Sequence, residues 1–337
     1  MIGQMLMVGF RGFTAPPDSR IARDIRDLHL GGVVLFDYDA ALGRVGRNIE
    51  SPAQVKALNA SLQSYADTPL FIGVDQEGGK VQRLKKEYGF HETPSALAVC
   101  SAGEFKVRMA AYMVGSTCSA GGFNLDFAPV ADVNADPDSP AIGKLERSFS
   151  DDPKQVARCA EIFMGELKRC GVLSCLKHFP GHGSAGTDSH EGLTDVTDTW
   201  TEAELIPYRE LIEKGLPTMI MTAHVFNAHL DPEYPASLSK KVVTGLLREQ
   251  LGYEGVVVTD DLTMGAITKF YGQNEAIRLA VMAGADILLF GNNLVYDEAI
   301  AGKAHAALRR MVGDGTIPLK RIEESYARIM ALKAAIR

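Results

Sequence analysis

The chain has 337 residues, 35 of them Lys or Arg against 42 Asp or Glu, for a formal charge of −7. That balance excludes the basic patch a nucleic-acid backbone demands, and no stretch approaches the ~20 apolar residues of a membrane span. With 46% hydrophobic and 23% charged residues, the chain has the composition of a globular protein with one large core.

Short apolar, β-branched runs recur in order at residues 5–10, 31–36, 70–75, 123–130, 174–179, 218–224, 255–260 and 285–290. Continuous apolar runs suit parallel strands buried on both faces. Amphipathic patterns lie between them, at 153–169, 202–213, 241–251 and 275–282, and a closing helix is predicted over 319–336. Strands alternating with helices predict an α/β fold, a single (β/α)8 TIM-type barrel filling residues 1–337. An open doubly wound sheet would carry a GxGxxG turn after the first strand, and GFRGFTAPPDS lacks it. The start, MIGQMLMVGF, has no basic region or cleavage site and reads as the first strand. The five cysteines (Cys100, Cys118, Cys159, Cys170, Cys175) have no CxxC pair and an odd count. This predicts no disulfide framework and a cytoplasmic, reducing location, with the cell envelope as the alternative if a leader preceded residue 1. Met109 and Met113, at helical spacing, are assigned to the core.

In a barrel enzyme, chemistry gathers at the C-terminal ends of the strands. Reading each run to its end gives Asp37 and Asp39, Asp75, Asp126 and Asp132, Lys177 and His178, His224, Asp260 and Asp261, and Asn292 and Asn293. Helix caps favour Asp and Asn, so part of this set is expected to be structural. KHFPGHGSAGTDSHEGL, from Lys177 to Leu193, is a long loop after the fifth strand, because Pro180 and its glycines exclude a helix. Asp188 and His190 are two apart, and in extended backbone they project to one side. The carboxylate then orients the imidazole for proton transfer. A metal held by His178, His182, Asp188 and His190 is the competing reading, although the spacing fits no fixed ligand motif. Asp260 closes the seventh strand facing the barrel mouth, where a carboxylate acts as a nucleophile or stabilises a cationic centre, while Asp261 caps the following turn. Asp75, with Arg83 eight residues on, suits a hydroxyl-rich ligand.

Taken together, KHFPGHG with DSH four residues later, TDDLTMGAI, VDQEGGKVQR and ERSFS resemble glycoside hydrolase family 3. The likeness is to the single-domain bacterial β-N-acetylglucosaminidases of peptidoglycan recycling, and it covers the chain from the first strand to about Asn293. The resemblance implies a (β/α)8 barrel and retaining hydrolysis of terminal β-linked N-acetylglucosamine from a glycan or muropeptide. Asp260 matches the nucleophile, His190 the acid/base and Asp188 its dyad partner. Asp75, Arg83, Arg147, Lys177 and His178 match sugar-holding positions. No cofactor and no metal is implied. A phosphorylase of the same family and a metal-dependent hydrolase are the alternatives. The sequence departs from the family pattern at Lys80, at Ser150, in GLTDVTDTW and in FDYD, where Asp37 and Asp39 add two negative charges near the mouth.

Overall fold

The computed structural model describes all residues except 189–191, 193, 335 and 337. Eight parallel strands form the central sheet. They are β1 (Leu6–Gly9), β2 (Gly32–Val34), β3 (Phe71–Val74) and β4 (Leu125–Asp126), then β5 (Leu173–Phe179), β6 (Met219–Thr222), β7 (Val256–Thr259) and β8 (Leu288–Phe290). The spatial order is β8-β1-β2-β3-β4-β5-β6-β7, and a parallel bridge between Val258 and Ile287 closes the ring. The fold is the α/β barrel that the alternation predicts.

Local chemistry sets the element ends. Ser19, Ser51 and Asp152 each accept a hydrogen bond from the first turn of the helix that follows, and Pro52 and Pro153 open two of those helices. The helix at 153–169 lies where its periodicity places it. The stretch at 202–213 divides into a 3-10 turn (Glu202–Leu205) and an α-helix (Ile206–Glu213). Residues Lys241–Gln250 wind as a π-helix. β4 is shorter than its apolar run because Pro129 offers no N–H to the ladder, and pairing resumes at Val130 opposite Lys177. The barrel interior is filled by large side chains against small ones. A Cβ on Gly73 of β3 would enter the space held by Met7 and the Phe127 ring.

At the C-terminal face two short hairpins follow strands: Tyr38–Asp39 with Arg44–Val45 after β2, and Gln76–Gly78 with Val81–Gln82 after β3. Two expectations are corrected. Cys100, on the helix Ala96–Ser101, and Cys159, on Pro153–Arg169, form a disulfide. The cysteines that remain free are Cys118, Cys170 and Cys175. Residues 59 apart in sequence meet because their helices pack side by side, which spacing rules cannot foresee. The thiol inventory therefore no longer argues for a reducing compartment. Met109 is exposed rather than core, on the outer face of its helix with Phe105 and Tyr112.

Candidate active site

Seven strands, β2 to β8, and their loops converge on one cavity of about 190 Å³ at the C-terminal mouth of the barrel. It is small beside the ~300–1,000 Å³ of pockets for drug-sized ligands, and suits one compact residue rather than an oligomer. Asp75, Arg83, Arg147, Lys177, His178, Asp188 and Asp260 all line it. Of the sequence-predicted site residues, only His190 lies outside the described residues.

The floor is a compensated charge cluster. Lys177 on β5 places Nζ 2.8 Å from Asp75 Oδ1 and 2.7 Å from Glu77 Oε1. Glu77 also takes Arg147 in a fork, accepting from Nε and Nη2 at 2.8 Å each. Arg83 Nη2 stands 3.6 Å from Asp75 Oδ2. Burial opposes ionisation of Glu77, but the Arg147 guanidinium and the Lys177 ammonium overcome it and bring the carboxyl down to about 2. Asp75 is likewise held below the usual carboxylate range: burial acts against the charge, and Lys177 and Arg83 outweigh it. Lys177 is buried, yet the two carboxylates raise its affinity for the proton. The cluster therefore presents fixed donors and acceptors, with Asp75, Glu77 and Lys177 ionised near neutral pH.

Arg83 reaches the cavity because Gln76 folds the hairpin after β3. Its Oε1 accepts from the backbone N–H of Arg83 and Leu84, at 3.1 and 2.9 Å. Asp126 accepts the Gln76 N–H at 2.9 Å, and burial pushes its carboxyl well up. Asp126 is thus a support of the hairpin, not a wall of the cavity.

His178 is oriented by Asp132, which takes Nδ1 at 2.7 Å and the backbone N–H at 3.1 Å. The other ring nitrogen faces Arg147 Nη2 at 3.4 Å. Asp132 also accepts the His182 N–H at 2.9 Å. Burial, then the neighbouring His178, lowers His182 to about 4, so it stays neutral. A metal at these histidines finds His178 Nδ1 already committed to a carboxylate and Nε2 facing a cation. Among the described residues, no three His, Cys, Asp or Glu side chains converge to hold a metal ion.

The loop after β5 begins far from loose. A Cβ on Gly183 would collide with the Val133 carbonyl, so close backbone approach, not flexibility, demands this glycine. Glu204 fastens the same turn, accepting the Gly183 N–H at 3.0 Å and the Ser184 hydroxyl at 2.6 Å. Its carboxyl is raised to about 7 by burial. Trp200 Nε1 donates to Pro180 O at 3.1 Å. Beyond this pinned turn the chain brings Asp188 to the cavity.

Asp260 ends β7 at the mouth, and its Oδ1 accepts the Asp261 N–H at 2.8 Å. Asp261 also lines the cavity, and its carboxylate is held by the turn, accepting Thr263 N–H and O–H and the Gly291 N–H. His224 bridges Ser237 Oγ at 2.6 Å and the Asp261 carbonyl at 3.0 Å, holding the turn under Asp260. Asn292 and Asn293 bond backbone groups of neighbouring loops. The expected negative charge of Asp37 and Asp39 is corrected: both are buried and paired, Asp37 with Lys85 at 2.7 Å and Asp39 with Arg11 and Arg47. Sequence reasoning missed Glu77 and Glu204 as parts of the site. Glu77 stood in a Gly-rich turn and Glu204 in an ordinary amphipathic stretch, so neither carried a distinguishing signal.

Residues 1–332 match the family described as glycosyl hydrolase family 3 N terminal domain. The chain is 35% identical over 327 residues to Beta-hexosaminidase A of Pseudoalteromonas piscicida, covering 86% of this chain and 52% of that protein. It is 36% identical to a beta-hexosaminidase of Tolumonas auensis, covering 80% of this chain and 78% of that one. Among solved structures, a glycoside hydrolase family 3 beta-N-acetylglucosaminidase from Paenibacillus superposes with TM-score 0.90 at 39% identity, over 99% of this chain and 61% of that one. A beta-N-acetylhexosaminidase from Beutenbergia cavernae superposes with TM-score 0.87 at 29% identity, over 99% and 97%. The chain thus spans about half to nearly all of the length of the proteins it resembles. With a family match over residues 1–332 and relatives of 35–36% identity, this protein belongs to glycosyl hydrolase family 3.

Proposed function

We propose that the protein is an exo-acting, retaining β-N-acetylglucosaminidase that releases terminal β-linked N-acetylglucosamine, with peptidoglycan fragments as its natural substrates. The observation that carries this reading is the cavity itself. One carboxylate, Asp260, lies at the end of β7 among fixed partners for sugar hydroxyls, in a space suited to a single ring. The names of the relatives, beta-hexosaminidase and beta-N-acetylglucosaminidase, support the glycone.

In this reading Asp260 attacks the anomeric carbon. The C1–O bond to the leaving group breaks, and a glycosyl-enzyme ester forms. His190, with Asp188 as its partner, gives a proton to the departing oxygen. It then takes one from the water that cleaves the ester. An imidazole titrating near ~6.5 performs both transfers around neutral pH without a strongly raised carboxyl. Asp75, Arg83, Arg147, Lys177 and His178 hold the hydroxyls and the acetamido group, so binding energy positions C1 against Asp260.

The test is hydrolysis of an aryl β-N-acetylglucosaminide by wild type and by Asp260→Asn, with EDTA and phosphate as added conditions. Wild-type turnover that survives EDTA and falls roughly 10³-fold or more in the variant is expected. The first-formed sugar should be the β anomer by NMR. Turnover retained in Asp260→Asn, or abolished by EDTA, overturns the reading, and a sugar 1-phosphate formed in phosphate replaces hydrolysis by phosphorolysis.

A further inference from the structure

The rim of the cavity beside β2 carries a surface that the ring-binding cluster does not use. Phe36 lines the cavity, with the Arg83 guanidinium 5.9 Å from its ring centroid. Two residues on, the chain enters the hairpin Tyr38–Asp39 with Arg44–Val45. The buried side of this hairpin is electrically closed. Asp39 accepts from Arg11 Nε and Nη2 at 2.6 and 2.9 Å and from Arg47 Nη1 at 3.1 Å. The Arg47 side chain is itself fully buried, and its Nη2 donates to the Asn292 carbonyl at 2.8 Å.

The hairpin is also fixed in place by the loop after β8, on the far side of β1. Ala40 N–H donates to Asn293 Oδ1 and Ala41 N–H to Asn293 O, each at 2.9 Å. Asn293 Nδ2 returns a bond to the Tyr38 carbonyl at 3.1 Å. Thus the segment after β2 is bound to the loop after β8, two residues beyond Gly291, which lines the cavity.

The outer side is the reverse. Tyr38, Leu42 and Val45 are 42%, 51% and 63% exposed, and Val295 on the adjoining loop is 71% exposed. Tyr38 and Val45 are cross-strand partners, so they share one face. Arg44 is the sole charged residue between positions 40 and 46. A chain that buries two acids and one arginine to hold apolar groups rigidly in water, next to a cavity sized for one ring, presents a preorganised contact surface. Phe36 lines the cavity two residues before Tyr38, so the hairpin starts at the cavity wall, and a substrate longer than one ring leaves the cavity beside it.

We infer that this hairpin is the aglycone platform: it receives the next pyranose of the substrate, with a C–H face of that sugar against Tyr38, Leu42 and Val45. This rests on the proposed glycosidase reading and adds to it the class of leaving group. The aglycone is a sugar recognised by an apolar face, rather than by the two acidic groups FDYD suggests, because Asp37 and Asp39 are spent on Lys85, Arg11 and Arg47.

The experiment compares wild type with the triple variant Tyr38→Ser, Leu42→Ser, Val45→Ser. Two constants are measured: KM for the β-1,4 disaccharide of N-acetylglucosamine, and the inhibition constant of N-acetylglucosamine itself, which needs only the ring-binding cavity. KM is expected to rise about 5- to 10-fold in the variant, as one lost stacking surface implies, while the inhibition constant stays within twofold. Unchanged KM, or an equal loss in both constants, overturns the platform. So does a wild type that elutes as a dimer and a variant that elutes as a monomer, since the face is then covered by a second copy. Failure of the wild type to cleave the disaccharide or an aryl glycoside would instead reject the glycosidase reading, before the variant is compared.

Discussion

Two cations and two acids decide what the floor of this cavity is. Lys177 is buried and Arg147 largely so, and each touches Glu77, which is 6% exposed. A buried ion pair that loses one partner leaves an uncompensated charge, at a cost of ~3–5 kcal/mol. Glu77→Gln keeps the shape and one acceptor but removes the charge that holds both cations. Its kcat/KM on an aryl β-N-acetylglucosaminide is expected to fall roughly 10²-fold, with a lowered Tm from the same cause. Kinetics equal to wild type would show that Asp75 alone positions Lys177. The sequence pointed to Asp75, Arg83, Arg147, Lys177 and His178 because they sit in recognisable motifs after strands. It did not point to Glu77, because what makes it a site residue is the approach of Arg147 from 70 residues away.

The closing helix shows the same dependence one level up. Its pattern over 319–336 reads as an amphipathic helix, and the helix Leu319–Lys333 forms there. Its last residue is not the solvated lysine that such a position suggests. Lys333 is buried beneath the barrel, its Nζ donating to Gln4 Oε1 at 2.7 Å and to the Gly31 carbonyl at 2.8 Å, over the ring of Phe71 at 4.7 Å. Burial lowers its proton affinity to about 7. The unfolded chain, with a lysine at ~10.4, binds that proton more tightly. Unfolding between about pH 7 and ~10.4 therefore takes up a proton, and stability rises with pH across this window; below about 7 the cost of the buried charge is present in full. Denaturant unfolding at pH 6.5 and pH 9 is expected to show a larger gain in wild type than in Lys333→Met. Equal gains would mean the ammonium is stabilised by its carbonyl partners and the ring.

Across the whole molecule, chemistry and stability occupy opposite ends of the barrel. The C-terminal mouth holds Asp260 and the charge cluster, while the N-terminal end holds Asp286. This fully buried carboxylate accepts from Arg248 at 2.7 Å, Arg321 at 3.1 Å, Arg328 at 3.2 Å and Ser325 at 2.8 Å. It also takes the Val257 N–H at 3.0 Å, beside the Val258–Ile287 bridge that closes the ring. One acid thus ties the last helix to the seam of the barrel. Asp286→Asn is expected to lower stability by ~3 kcal/mol or more and the Tm by several degrees, read by thermal unfolding, while kcat/KM at 25 °C stays within twofold. A matching loss of activity at 25 °C would show that the seam also sets the geometry of the mouth.

The sequence by itself determined the barrel, because hydrophobic periodicity is local: each strand and helix writes its own pattern, and eight alternations leave one economical closure. It also marked the candidate strand ends, since KHFPGHG, TDDL and VDQEGG are contiguous. Only the tertiary structure decided which of those polar residues face the cavity. Asp126 and His224 end strands as Asp75 and Asp260 do, yet they support loops from behind. Tertiary structure likewise joined Cys100 to Cys159, neutralised Asp37 and Asp39, and set Glu204 under the loop after β5. In each case the partner lies on another element, often tens of residues away. An ionic or hydrogen-bonded pairing across such a gap leaves no period in the sequence to read.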